Sequence, residues 1–165
     1  MEKSALSYSY RLIIAAVLVG FGWMPIAMAE KFEDIIRNAN QGHADSQFSL
    51  GEMYYHGHFV LGQFLPKDYA VAVRWFRLAA EQGHAAAQYN LGVRYANGGH
   101  GMSRDVVQAY MWFALAAQQE NPDAIVARDR IAMSMTPAQI AQAQQLVQNW
   151  KPSTGSSQTP DQPKP

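Results

Sequence analysis

Five histidines and a few carboxylates are the side chains of this sequence best suited to chemistry. His56, His58 and His100 stand in two similar loops, and three imidazoles brought together could hold zinc. No ladder of further ligands and no neighbouring acid specifies such a site, so solvated turn histidines are the expectation. His43 and His84 each follow a Gln-Gly pair, which marks them as helix-start residues rather than catalysts. Glu52 and Glu81 could be imagined as paired acids that cleave a glycan. Glu81, however, lies near a helix end within a repeated pattern, where solvated acids are routine. Cysteine is absent, so there is no thiol nucleophile and no disulfide. The chain also lacks S-x-x-K, H-E-x-x-H, G-x-S-x-G and a phosphate-binding loop. The expectation is therefore no catalytic residue, no metal and no cofactor.

The elements that carry these side chains are copied. The segment QGHADSQFSLG, Gln41 to Gly51, returns as QGHAAAQYNLG, Gln82 to Gly92, and Tyr54 and Tyr95 extend the match. A second block recurs as well: Asp68, Ala72, Trp75, Phe76, Ala79 and Ala80 become Asp105, Ala109, Trp112, Phe113, Ala116 and Ala117. The loop from His56 to Lys67 is longer than its counterpart from Asn97 to Arg104, and an insertion confined to a loop leaves helix packing unchanged. Periods of this size indicate stacked helix pairs, each burying its neighbour's apolar face. The fold expected is an all-α solenoid of antiparallel pairs with about seven helices. Gly51 and Gly92 cost about 1 kcal/mol each in helix propensity relative to Ala, so helix backbones are expected to approach closely there. Trp75, Phe76, Trp112 and Phe113 are expected to fill the gaps between successive pairs.

Taken in order, Leu50-Gly51 with Tyr54, Leu91-Gly92 with Tyr95, Gly99-His100-Gly101 with Asp105, and the two Trp-Phe…Ala-Ala blocks resemble the Sel1-like repeat, a relative of the tetratricopeptide repeat. The resemblance covers about Glu33 to Gln119. It departs at His58-Phe59-Val60-Leu61-Gly62, where the compact G-x-G turn is not kept. It implies two full repeats at about 43–83 and 84–120, and a surface that more often binds than catalyses. Some members, rich in cysteine, have been linked to β-lactam hydrolysis; this chain lacks their cysteines.

Both flanks look like caps. Phe32 to Gly42 reads as an orphan second helix, with Ile35, Ala39 and Gly42 at the Phe76, Ala80 and Gly83 positions. Asn121-Pro122-Asp123-Ala124 starts a third unit that breaks pattern at Arg128-Asp129. Thr136-Pro137-Ala138-Gln139 is a capping-box start for a closing helix, with Ile140, Ala143, Val147 and Trp150 on one face. Outside this domain (30–150), residues 1–29 read as a signal peptide: Lys3 and Arg11, an apolar run from Leu12 to Met24, and Ala27-Met28-Ala29 before cleavage after Ala29. The competing reading is a retained anchor, but the uncharged core is marginal for a bilayer about 30 Å thick. Residues 151–165 read as a disordered tail.

The mature chain would carry eleven Lys or Arg against twelve Asp or Glu, a balance that gives no case for nucleic acid or anionic lipid. Contact with a membrane would be transient, through the signal alone. If the superhelix resembles that of tetratricopeptide repeats, the first helix of each pair lines a concave groove. The groove face is then Asp45, Phe48, Glu52, Tyr55 and His56, followed by Ala86, Tyr89, Val93, Ala96 and Asn97. The function expected is a periplasmic or secreted, monomeric, non-enzymatic adaptor that binds a protein or peptide there. Alternatives are a hydrolase acting on cell-wall glycan or β-lactam, and an exported effector that binds a host protein. Replacing Phe48 and Tyr89 together with Ala is expected to abolish partner capture and leave folding nearly intact.

Overall fold

The computed structural model describes residues 26–60, 63–99 and 102–153. In order, its elements are α1 (Ile26–Asn40), α2 (Ala44–His56), β1 (His58–Val60), β2 (Gln63–Leu65), α3 (Tyr69–Glu81), α4 (Ala85–Asn97), α5 (Val106–Ala117), α6 (Pro122–Ala132) and α7 (Pro137–Asn149). The expected all-α solenoid is what these helices build: each packs on its neighbour from α1 to α6. Helix α7 instead folds back onto α5. The longer first loop, where the compact G-x-G turn is not kept, forms an antiparallel hairpin that pairs His58 with Leu65 and Val60 with Gln63. Most of the expected signal peptide (residues 1–25) and of the expected tail (154–165) lies outside the described residues. Lys151 to Ser153 have no regular structure, and Ser153 N–H donates to the Glu81 carbonyl at 2.8 Å.

Three turns are built alike, and the copied Gln-Gly explains two of them. Gly42 (φ 94°) and Gly83 (φ 96°) adopt left-handed backbone, which an L side chain resists. There the N–H of Gly42 reaches Ala39 O and that of His43 reaches Asn38 O. Gly83 and His84 repeat these bonds to Ala80 O and Ala79 O. This double closure satisfies carbonyls that a helix end would otherwise leave open. Glu120 holds the same place after α5 with φ 61°, a side chain where the first two copies have none. After the second and third turns the next helix starts on a side-chain cap, His84 Nδ1 accepting from Ala87 N at 3.1 Å and Asn121 Oδ1 from Ala124 N at 2.9 Å, whereas His43 before α2 makes no such bond. Asp68 and Asp105 cap α3 and α5 in the same way, and Thr136 with Gln139 completes the capping box of α7.

Helix-to-helix packing explains the costly glycines more exactly than backbone contact does. A Cβ at Gly51 would lie 2.7 Å from Cδ1 of Phe76, and one at Gly92 would lie 2.6 Å from Cδ1 of Phe113. Each glycine therefore makes room for the phenyl ring of its own pair. The two phenylalanines fill their pairs rather than the gaps between pairs. Those gaps fall to tryptophan: Trp75 packs with Ala39, Leu50 and Val71, and Trp112 with Val73, Ala79, Ala80, Ala87 and Leu91. Leu146, Val147 and Trp150 of the closing segment cover the second of these clusters.

One polar device runs through this core. Gln47 (1% exposed) donates from Nε2 to Ala39 O at 3.2 Å and accepts from Gln82 Nε2 at 2.7 Å. Gln88 (0% exposed) repeats it, donating to Ala80 O at 3.2 Å and accepting from Gln119 Nε2 at 2.9 Å. An unpaired buried amide would cost about 1–3 kcal/mol, so the pairing ties each first helix to the turn before it and to the turn that ends its pair.

Candidate functional site

Helices α2 and α4 are first helices of successive repeats, and their exposed faces meet in a half-open cleft of about 220 Å³. Glu52, Tyr55 and His56 come from α2, Asn90 and Arg94 from α4, and Phe76 of α3 lies behind them. The spacings i, i+3 and i+4 on α2, and i, i+4 on α4, put each set on one helix face.

Within the cleft, Asn90 Nδ2 donates to Glu52 Oε1 at 3.1 Å, and the other Glu52 oxygen lies 3.5 Å from His56 Nε2. Arg94 Nη1 donates to the Tyr55 hydroxyl at 3.0 Å, and its guanidinium carbon sits 4.7 Å from the centre of that ring. Tyr55 is further braced edge-on by Tyr69 at 5.2 Å and by the tilted Phe76 ring at 6.4 Å. Such bracing fixes the hydroxyl and the cation it receives. The result is a rigid polar mouth over an aromatic floor.

Towards the start of α2 lies a second group. The Phe48 ring stacks on His84 at 4.6 Å and tilts against Phe76 at 5.7 Å, while His84 Nε2 lies 3.5 Å from Asp45 Oδ1. Burial of the His84 imidazole pushes its pKa below the usual value, opposed by the Asp45 carboxylate. Tyr89 repeats the Phe48 arrangement with Phe113 at 5.8 Å. Both aromatic rings therefore pack on the phenylalanine of their own pair. The double alanine variant is accordingly expected to lose stability as well.

Of the residues read from the sequence as partner-binding, Glu52, Tyr55 and His56 come together in the cleft. Phe48 sits about one turn and Asp45 about two turns before Glu52 on α2. Tyr89, Val93 and Asn97 lie along α4 and do not line the cleft, Asn97 being its exposed last residue. Asn90 and Arg94 were missed. Their signal was present: they stand opposite Ser49 and Met53 in the first copy, so they are positions where the copies differ in chemistry. Glu81 is not in the cleft, and its neighbour Gln82 reaches Gln47 near the other end of α2. His100 lies outside the described residues, and among those described no three His, Cys, Asp or Glu side chains group to hold a metal ion. Among the described residues no helix is long and apolar enough to cross a membrane.

The Sel1 repeat model matches residues 44–84 and 85–121. Among solved structures, the chain is similar to a protective antigen present in uropathogenic Escherichia coli strains and displaying an SLR fold. That match has a TM-score of 0.64 and 35% identity, over 72% of this chain and 24% of the antigen. A Sel1 repeat protein from Oxalobacter formigenes matches with a TM-score of 0.49 and 26% identity, over 73% of this chain and 98% of that one. This chain thus spans about a quarter of the length of the antigen. No curated protein matches it.

Proposed function

We propose that this solenoid, which carries two Sel1 repeats at residues 44–84 and 85–121, is a non-enzymatic interaction module that holds a protein or peptide partner along the α2–α4 face. The observation that supports this most directly is the cleft itself. Side chains from two successive repeats converge there, over braced aromatics and with hydrogen-bonding groups at the mouth. Aromatic anchors beside a few fixed polar groups are how binding surfaces are usually composed. Asp45, Phe48, Tyr89, Val93 and Asn97 extend the surface along α2 and α4.

The module works in the bacterial cell envelope. Lys3, Arg11, the apolar run from Leu12 to Met24 and Ala27-Met28-Ala29 support export, with a mature chain beginning at Glu30. Cell fractionation with N-terminal sequencing tests this part. Retention in the cytoplasm would refute it.

A photo-crosslinking residue placed at His56 or Val93 tests the binding face in living cells. It should trap a defined protein partner, whereas the same residue at the exposed Gln118 or Gln142 should not. Equal trapping from both faces, or turnover of peptidoglycan fragments or β-lactams by the purified protein, would overturn the proposal.

A further inference from the structure

Among the described residues Arg94 is a cation without a counter-ion. Its guanidinium is half-buried, and its Nε is buried with no acceptor. Its one side-chain hydrogen bond among the described residues runs to a neutral group, the Tyr55 hydroxyl at 3.0 Å. Among the described residues no carboxylate lies within ion-pair distance of it. Glu52, in the same cleft, is engaged elsewhere, by Asn90 on one oxygen and His56 on the other. A half-buried charge left this way is costly unless something pairs with it. The braced Tyr55 ring holds the guanidinium in place, so a ligand need not order it.

Resting on the interaction-module reading above, we propose that Arg94 receives the side-chain carboxylate of one aspartate or glutamate in an extended partner segment. Guanidinium and carboxylate match in geometry and form charge-assisted bonds about twice as strong as neutral ones. The Glu52 carboxylate, on the α2 side of the same cleft, sets a limit of one acid. It repels a second and accepts from main-chain N–H groups of the same segment. The same balance disfavours a phosphate, because one guanidinium beside a carboxylate cannot neutralise a dianion. The first repeat has Met53 at the Arg94 position, so the array holds one such recognition point, not a row of them.

An array of random decapeptides, with a phosphoserine set included, is probed with the full chain and with Arg94→Gln, Arg94→Lys, Glu52→Ala and Asn90→Ala variants whose helicity is verified by circular dichroism. Peptides bound by the wild type should share a single Asp or Glu at a constant position. Changing that residue to Asn or Gln should weaken binding about tenfold or more. Arg94→Gln should cause the same loss, and the two changes together should add little to either, because they remove one contact. Arg94→Lys should recover part of the affinity. Enriched peptides that lack an acid, yet lose binding in Glu52→Ala or Asn90→Ala, would overturn acid recognition while leaving the binding face standing. Enrichment confined to phosphoserine peptides would overturn it too. Binding that no cleft substitution changes, or no binding, would overturn both.

Discussion

Gly92→Ala is the substitution that sets local propensity most directly against packing. In an exposed helix, alanine in place of glycine stabilises by about 1 kcal/mol. Here the new Cβ would fall 2.6 Å and 2.7 Å from Cδ1 and Cε1 of Phe113 and 3.2 Å from its Cγ, well inside ordinary contact. Phe113 is 3% exposed and packed on its far side, so its ring has no room to withdraw. Overpacking of this kind costs about 1–3 kcal/mol, and more where neighbours cannot shift. With the ring held in place the cost falls in the upper part of that range, about 2–3 kcal/mol. After the propensity gain, the net loss should therefore be about 1–2 kcal/mol, or roughly 4–8 °C in Tm for a domain of this size. Thermal and urea unfolding followed by circular dichroism at the helix band would measure it. A smaller ring partner should relieve the clash, so Gly92→Ala with Phe113→Leu should be less destabilised than the two single losses summed. A Gly92→Ala protein as stable as the wild type would refute the claim that these glycines exist to seat the phenyl rings.

Other outcomes follow from the same geometry. Glu120→Gly should stabilise by about 0.5–1 kcal/mol in thermal unfolding, because left-handed backbone costs a side chain about 1–2 kcal/mol and glycine gives back part of that in unfolded-chain entropy; an unchanged or lower Tm would count against strain there. His84 caps α4 as a neutral base, and its folded pKa lies below the unfolded value. The folded state thus binds fewer protons, and its contribution is full above about pH 6.5 and lost as pH falls through the folded pKa. His84→Asn, which copies the Asn121 cap of α6, should flatten stability against pH between about 7 and 5 relative to wild type; parallel profiles would refute the assignment.

Much of the scaffold was legible because its signals are local or copied. The turn at Gly83 is announced by Gln-Gly in both copies, and the start of α7 by the Thr136-Gln139 box. What stayed hidden depends on neighbours that sequence position does not disclose. Gln47 and Gln88 sit in the copied block, but a polar residue reads as exterior until its partner is known, and that partner is 35 or 31 residues away. Helical periodicity put Trp150 on an apolar face without saying that the face would meet α5 and the Gly83 turn rather than α6. The cleft was half legible. Tyr55 and Glu52 followed from the groove register. Arg94 stood one helix face over, and only its pairing with Tyr55 across the repeat junction brings it in.

The buried glutamine link also bears on how such a chain can lengthen. Both junctions use the same amide pair and the same accepting carbonyl, and a left-handed residue follows the donating glutamine in each, Gly83 in the first and Glu120 in the second. A unit copied whole would carry matching halves of that joint at each end, so growth by duplication needs no compensating change in the interior. A partial copy would strand a buried amide. The cleft follows the opposite rule: Glu52, Asn90 and Arg94 are not shared between copies, so duplication would extend the scaffold and leave the recognition point single. Length and specificity are in this way separable, one inherited in whole repeats and the other residue by residue.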